Sequence, residues 1–129
     1  MGYRVLTMKW ITRAFVREHR DYIFLFGDNL ERRGFGGQAT AMRGEPNVVG
    51  IPTKKLPTNG KNAFFTDAEF EQNKAAIDQA FERLSVIYLA TDQIIVIPAN
   101  GIGTGRAQLD NRAPLTFAYL QKRLGDLFS

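Results

Sequence analysis

The chain has 129 residues, 44% hydrophobic and 23% charged, with a formal net charge of +4, the make-up of a single globular domain over 1–129 with room for a real core. It has no cysteine and one histidine, which excludes disulfides, thiolate catalysis and cysteine-zinc sites and makes no metal site expected. The positive charge favours anionic partners, but Lys and Arg are scattered, paired only at sites such as Arg32-Arg33, Lys54-Lys55 and Lys122-Arg123, so no long basic tract marks a nucleic-acid surface.

A first strand is predicted over 3–8. Residues 11–20, with Ile11, Ala14 and Phe15 apolar, read as a short helix. The unbroken apolar run 22–26 reads as a strand covered on both faces. A helix of small residues is expected over 36–43 and is broken by Gly44-Glu45-Pro46-Asn47. A short strand follows over 48–51 and is ended by Pro52; 53–65 reads as loop. Thr66-Asp67-Ala68-Glu69 has the form of a capping box opening the longest helix, with Phe70, Ile77, Phe81, Leu84 and Tyr88 on its apolar face. A second buried strand is expected over 93–97. The last helix starts near Pro114 and turns Phe117, Leu120 and Leu124 inward. Strands alternating with helices predict an α/β fold of three layers, a mixed and mostly parallel sheet flanked by helices.

Two glycine-rich segments each follow an apolar run, at the carboxyl ends of predicted strands. The first is Phe26-Gly27-Asp28-Asn29 through Gly34-Phe35-Gly36-Gly37-Gln38-Ala39; the second is Pro98-Ala99-Asn100-Gly101-Ile102-Gly103-Thr104-Gly105-Arg106. Ligands of such sheets bind beyond the carboxyl ends of the strands. Without a Cβ, Gly36 and Gly37 let a pyrophosphate approach the main chain, and a helix starting near Gly36 would aim free N–H groups at it. Asp28 and Asn29 have the donors and acceptors for ribose or a base; a plain turn at Asp28-Asn29 with glycines serving tight packing is the alternative. In the second segment, alternating glycines suit an anion-binding nest, to which the Thr104 hydroxyl and the Arg106 guanidinium would add contacts. The spacing fits neither a Walker phosphate loop nor the full dinucleotide fingerprint. Two such loops suggest one site that grips a ligand with more than one phosphate.

These segments together resemble the macrodomain family, over roughly 22–106. The carriers are Asn29 with Gly34-Phe35-Gly36-Gly37-Gln38-Ala39, and the later Gly101-Ile102-Gly103-Thr104-Gly105; the strings Phe26-Gly27-Asp28-Asn29, Gly50-Ile51-Pro52-Thr53-Lys54 and Ile97-Pro98-Ala99-Asn100-Gly101 are closer still to small macrodomain-like proteins of bacteria and phages. The resemblance implies a site for ADP-ribose or a related nucleotide, with Gly27, Asp28, Asn29, Gly34, Gly36, Gly37, Gln38, Asn100, Gly101, Ile102, Gly103, Thr104, Gly105 and Arg106 against the ligand and no further cofactor. Its possible partners are ADP-ribosylated protein or nucleic acid. The Asn-Ala-Ala-Asn string of many macrodomains is absent, Gly27-Asp28-Asn29-Leu30 standing in its place. If an ADP-ribosyl linkage is hydrolysed, Asp28 is the first choice for general base or ribose ligand, Asn29 orients the ribose, and Asp110 is the alternative acid or base. The competing classes are a nucleotide-binding or sequestering protein without turnover, and a nucleic-acid-binding domain.

Other residues carry plainer expectations. His19 is expected on the solvated surface, Arg43-Gly44-Glu45 as a helix end with a surface ion pair, and Phe64-Phe65 as a core anchor. Asp67 is expected in the first turn of the long helix. Lys54 and Lys55 either edge the pocket or solvate a loop. No apolar stretch approaches the roughly 18 residues of a membrane span, and the first residues lack the apolar segment of a leader; a cytoplasmic protein with no membrane partner is expected.

Overall fold

The computed structural model describes residues 3–128; Met1 and Gly2, the first residues of the stretch read against a leader, and Ser129 lie outside that description. Four strands, β1 (Val5–Met8), β2 (Tyr22–Asn29), β3 (Val48–Lys54) and β4 (Ile94–Pro98), form one sheet in the order β1-β4-β2-β3. Each pairing between these strands is parallel, and the antiparallel component is confined to an isolated bridge between Lys54 and Phe64. The helices are α1 (Arg13–Glu18), α2 (Ala39–Met42), α3 (Phe70–Thr91), α4 (Leu109–Arg112) and α5 (Pro114–Asp126).

The period of two along β2 builds the layers. Ile23 and Leu25 face one way and join Ile77, Phe81 and Leu84 of α3 and Leu120 and Leu124 of α5. Phe24 and Phe26 face the other way and pack with Val16 of α1 and Ala39 and Met42 of α2. A run apolar at every position is therefore a strand with both faces covered, as parallel sheets require. This is a three-layer α/β fold.

Several local expectations change. β2 runs three residues beyond Phe26, because its pairing with β3 continues through Asp28 opposite Pro52 and, after a bulge, Asn29 opposite Lys54. Pro52 does not end β3, since β3 is an edge strand and tolerates a residue without an N–H. The helix expected over 36–43 shrinks to the single turn of α2: Gly37 takes φ +59°, outside the helical region. The capping box does not form, for the Thr66 side chain makes no cap bond and 67–69 is a 3-10 turn. Asp67 caps a different helix. Its carboxylate accepts from the N–H of Leu115 at 2.9 Å and of Thr116 at 3.0 Å, at the start of α5. Burial pushes the Asp67 carboxyl up, but these bonds and that from the Thr116 hydroxyl outweigh it and hold the group below its ordinary value. His19 is half-buried between Phe15 and Tyr22, with ring centroids 4.2 and 4.8 Å away. Phe65 is a core residue, as its sequence context suggests.

The topology marks one place for a ligand. β2 is followed by α2 on the Phe24–Phe26 face, whereas β4 is followed by α4 and α5 on the opposite face. β2 and β4 are neighbours in the sheet. A crevice opens where two adjacent parallel strands send their chains to opposite sides.

Candidate functional site

That crevice is a cavity of about 270 Å³, close to the lower end of small-molecule sites. Gly27, Asp28, Asn29, Gly34, Gly36, Gly37 and Gln38 line one side; Gly101, Gly103, Gly105 and Arg106 line the other. Arg33, Phe35, Arg43, Thr53, Lys54 and Asn59 contribute to the wall as well. Four residues expected at the site stand elsewhere. Ile102 is fully buried in the core on the α3–α5 face, Asn100 and Thr104 lie off the wall with the Thr104 hydroxyl donating to the Asn100 carbonyl at 3.1 Å, and Asp110 is an exposed residue of α4.

The first segment is fastened by side chains. Asp28 and Arg43 form a two-pronged ion pair in which both side chains are largely buried. The Asp28 carboxylate also accepts from the Asn29 N–H at 2.8 Å. It rests on Gly50 of the adjacent strand, where any Cβ would collide with it. Arg43 then reaches the carbonyl oxygens of Gly34 at 2.6 Å and Arg33 at 3.3 Å, and so shapes the loop. This corrects the expectation of a surface pair between Arg43 and Glu45. Glu45 is instead ringed by Arg13, Arg17 and Arg20 of the α1 region, at 2.8, 3.0 and 3.0 Å. Hydrogen bonding from Arg13 leads this effect, against burial and with help from Arg20 and Arg17, and lowers the Glu45 carboxyl to about 2.

Asn29 is tied into the same loop. Its amide donates to the Arg33 carbonyl at 2.8 Å and accepts from the Glu31 N–H at 3.1 Å, the turn chemistry open to asparagine. Gln38 is a strap between the two sides of the cavity: Oε1 accepts from the Gly27 N–H and Nε2 donates to the Gly101 carbonyl, both at 2.8 Å. The expected helix N-terminus at Gly36 is absent: α2 begins only at Ala39 and, at a single turn, has almost no macrodipole.

The second segment is fastened by backbone bonds and apolar burial. Gly101 and Gly103 take φ of +86° and +95°. The Leu109 N–H donates to the Gly103 carbonyl at 2.8 Å, and the side chains of Ile102 and Leu109 are fully buried.

Lys54 and Lys55 part company at the end of β3, Lys54 being its last residue and Lys55 lying just beyond it. Lys55 pairs with Glu69, while Lys54 lines the cavity. Sequence reasoning left Lys54 undecided and missed Arg43, whose partner lies 15 residues back along the chain. The Arg-rich loop and the Asp at a strand end were visible; their pairing was not. Among the described residues no group of three or more His, Asp or Glu stands close enough to hold a metal ion, and no helix is long and apolar enough to cross a membrane.

Fold and site together define a three-layer α/β protein with a glycine-walled cavity at the carboxyl ends of a parallel sheet. The chain belongs to a family of unknown function, DUF7831, whose model matches residues 6–123. No curated protein and no solved structure matches it.

Proposed function

We propose that the cavity binds ADP-ribose or a related nucleotide and that the protein is a macrodomain-like binding protein. One observation carries this reading. Glycine-rich segments far apart in the chain wall the same cavity, at the point where β2 and β4 send their continuations to opposite faces. Glycine walls let a diphosphate lie against main-chain N–H groups. With this reading go a cytoplasmic location and ADP-ribosylated protein or nucleic acid as the macromolecular sources of the ligand.

Binding without turnover is favoured over hydrolysis by the state of Asp28. A carboxylate already engaged by a guanidinium and by the Asn29 N–H has little capacity left to orient and deprotonate a water. Asp110, outside the cavity, offers no replacement.

Calorimetric titration with ADP-ribose, with AMP as the control, tests the reading. Diphosphate-dependent binding is expected, with the ligand recovered chemically unchanged. Gly105→Glu supplies the control for location: a Cβ at Gly105 meets nothing within 4 Å, so the variant should fold, and its carboxylate should abolish binding. Absence of heat with both ligands on folded protein would overturn the proposal, and release of altered ligand would reassign the protein as a hydrolase.

A further inference from the structure

The two margins of the sheet are built differently. The order β1-β4-β2-β3 leaves β1 and β3 at the edges, and an open edge invites another strand. The β3 edge is closed to one. Pro52 has no N–H to offer, the ladder is irregular beside it, and the chain beyond folds back so that Lys54 bridges Phe64. The Arg83 guanidinium donates to the Gly50 carbonyl at 3.4 Å and occupies a further acceptor.

The β1 edge has none of these devices. Val5-Leu6-Thr7-Met8 contains no proline and no charge, and it pairs with β4 in unbroken register. The Ile95 N–H donates to the Arg4 carbonyl at 2.8 Å and the Ala99 N–H to the Met8 carbonyl at 2.9 Å, so the even-numbered residues turn their backbone groups to β4. Val5 and Thr7 turn theirs away from it, and among the described residues no strand pairs there. Large apolar side chains at this margin stand in water. Leu6 is 41% exposed, and Trp10, just past the strand, is 90% exposed on a left-handed backbone of φ +57°.

We propose that the β1 edge pairs with the β1 edge of a second copy of the chain, antiparallel about a two-fold axis at Thr7, joining two four-stranded sheets into one. The occupant follows from the fit of the strand to itself. A two-fold axis normal to the sheet keeps each face on its own side, so odd-numbered residues stand opposite odd and even opposite even. Centred on Thr7, the register sets Thr7 against its copy as a hydrogen-bonded pair, Leu6 against Met8 and Val5 against Lys9. Threonine pairs and apolar pairs are favourable cross-strand neighbours. Trp10 of each copy comes to the end of the pair where Arg4 of the other stands, which suits a cation–π contact, and no cation stands opposite a cation. Because the β3 edge is closed, growth stops at two copies. The two cavities open at opposite ends of the joint sheet, so the pairing is independent of what they bind.

Sedimentation equilibrium of the full chain should show a dimer. Leu6→Lys sets two cations on a diagonal across the seam and should weaken association by about a hundredfold; Leu6 is exposed, so the variant should fold. Cross-linking fixes the register. The chain has no cysteine, so a single introduced thiol has only its copy to pair with. Thr7→Cys should oxidise to a linked dimer, since the Cα atoms of a hydrogen-bonded pair stand about 5.5 Å apart, within the span of a disulfide. Leu6→Cys, two positions out of register with its copy, should stay unlinked. A larger assembly, a dimer indifferent to Leu6→Lys, or linkage by Leu6→Cys in place of Thr7→Cys would each overturn the pairing. A monomer at every concentration up to about 1 mM would overturn it too, and would leave the edge to a strand of another protein.

Discussion

The two glycine-rich segments that wall the cavity share a composition and differ in what holds them. The first is clamped by polar side chains: Asp28 with Arg43, Asn29 with its own loop, and Gln38 across to Gly101. The second is pegged by Ile102 and Leu109, both fully buried, with its glycines turning the backbone between them. Glycine content alone therefore says nothing about how a loop is held. An apolar peg is anchored by the same core that holds the domain, whereas a hydrogen-bonded clamp is a local device whose loss leaves the core intact.

Four experiments would test that difference. Ile102→Ala should have the largest effect, a loss of about 2–5 kcal/mol as the side chain leaves a void in the core; urea denaturation would read it as a lower midpoint with an unchanged slope. A near-neutral result would mean that the second segment is not pegged. Gly50→Ala should cost about 1–3 kcal/mol, because its Cβ would displace the Asp28 carboxylate. Gly27→Ala, one pair further along the same two strands, should be nearly silent, since a Cβ there meets neighbours at an ordinary 3.5–3.6 Å. Thermal melts of the pair would separate the two glycines, and equal losses would refute the clamp. Asp28→Asn should lower global stability by about 1–2 kcal/mol through the lost charge-assisted bonds. It should speed amide hydrogen exchange at 33–37 while leaving 101–109 as protected as before.

Of the two segments, acid should act on the first. Glu45 secures the turn after α2 through Arg13, Arg17 and Arg20, and its carboxyl is lowered from 4.5 to about 2. A depressed carboxyl stabilises the fold fully above its unfolded value and loses that contribution as pH falls through its folded value. The stability advantage of the natural chain over Glu45→Gln should therefore be complete above pH 4.5 and shrink towards zero near pH 2. Denaturation of both proteins across that window would show it, and a constant difference would exclude the carboxylate as the cause. The second segment, with no titratable peg, should keep its exchange protection.

Much of this was legible in the chain. Continuous apolar runs at 22–26 and 94–97 gave the buried strands, and the alternation of elements gave the three layers, because parallel strands must be apolar on both faces and need helical crossovers. Both glycine segments were visible as a composite signal for one site. The element boundaries were less so. β2 passes through Gly27, Asp28 and Asn29 because β3 supplies partners there, and nothing local in a Gly-Asp-Asn string asks for a strand. α2 is a single turn because of the conformation of Gly37, which the sequence left free.

The partners of the polar residues were settled only by the tertiary structure. Asp67 could cap the helix it precedes in sequence, but it caps α5, 48 and 49 residues away, because α3 and α5 pack side by side on the same face of the sheet. Asp28 finds Arg43, and Lys54 finds Phe64 and two arginines but no carboxylate. The amino-acid sequence by itself determined which segments are buried, since hydrophobic burial is non-directional and follows from composition and period alone. Which charged group meets which, and which is left for a ligand, was decided by the folded chain. Hydrogen bonds and ion pairs act over a few ångströms and within narrow angles, and only the packed sheet and helices set such distances.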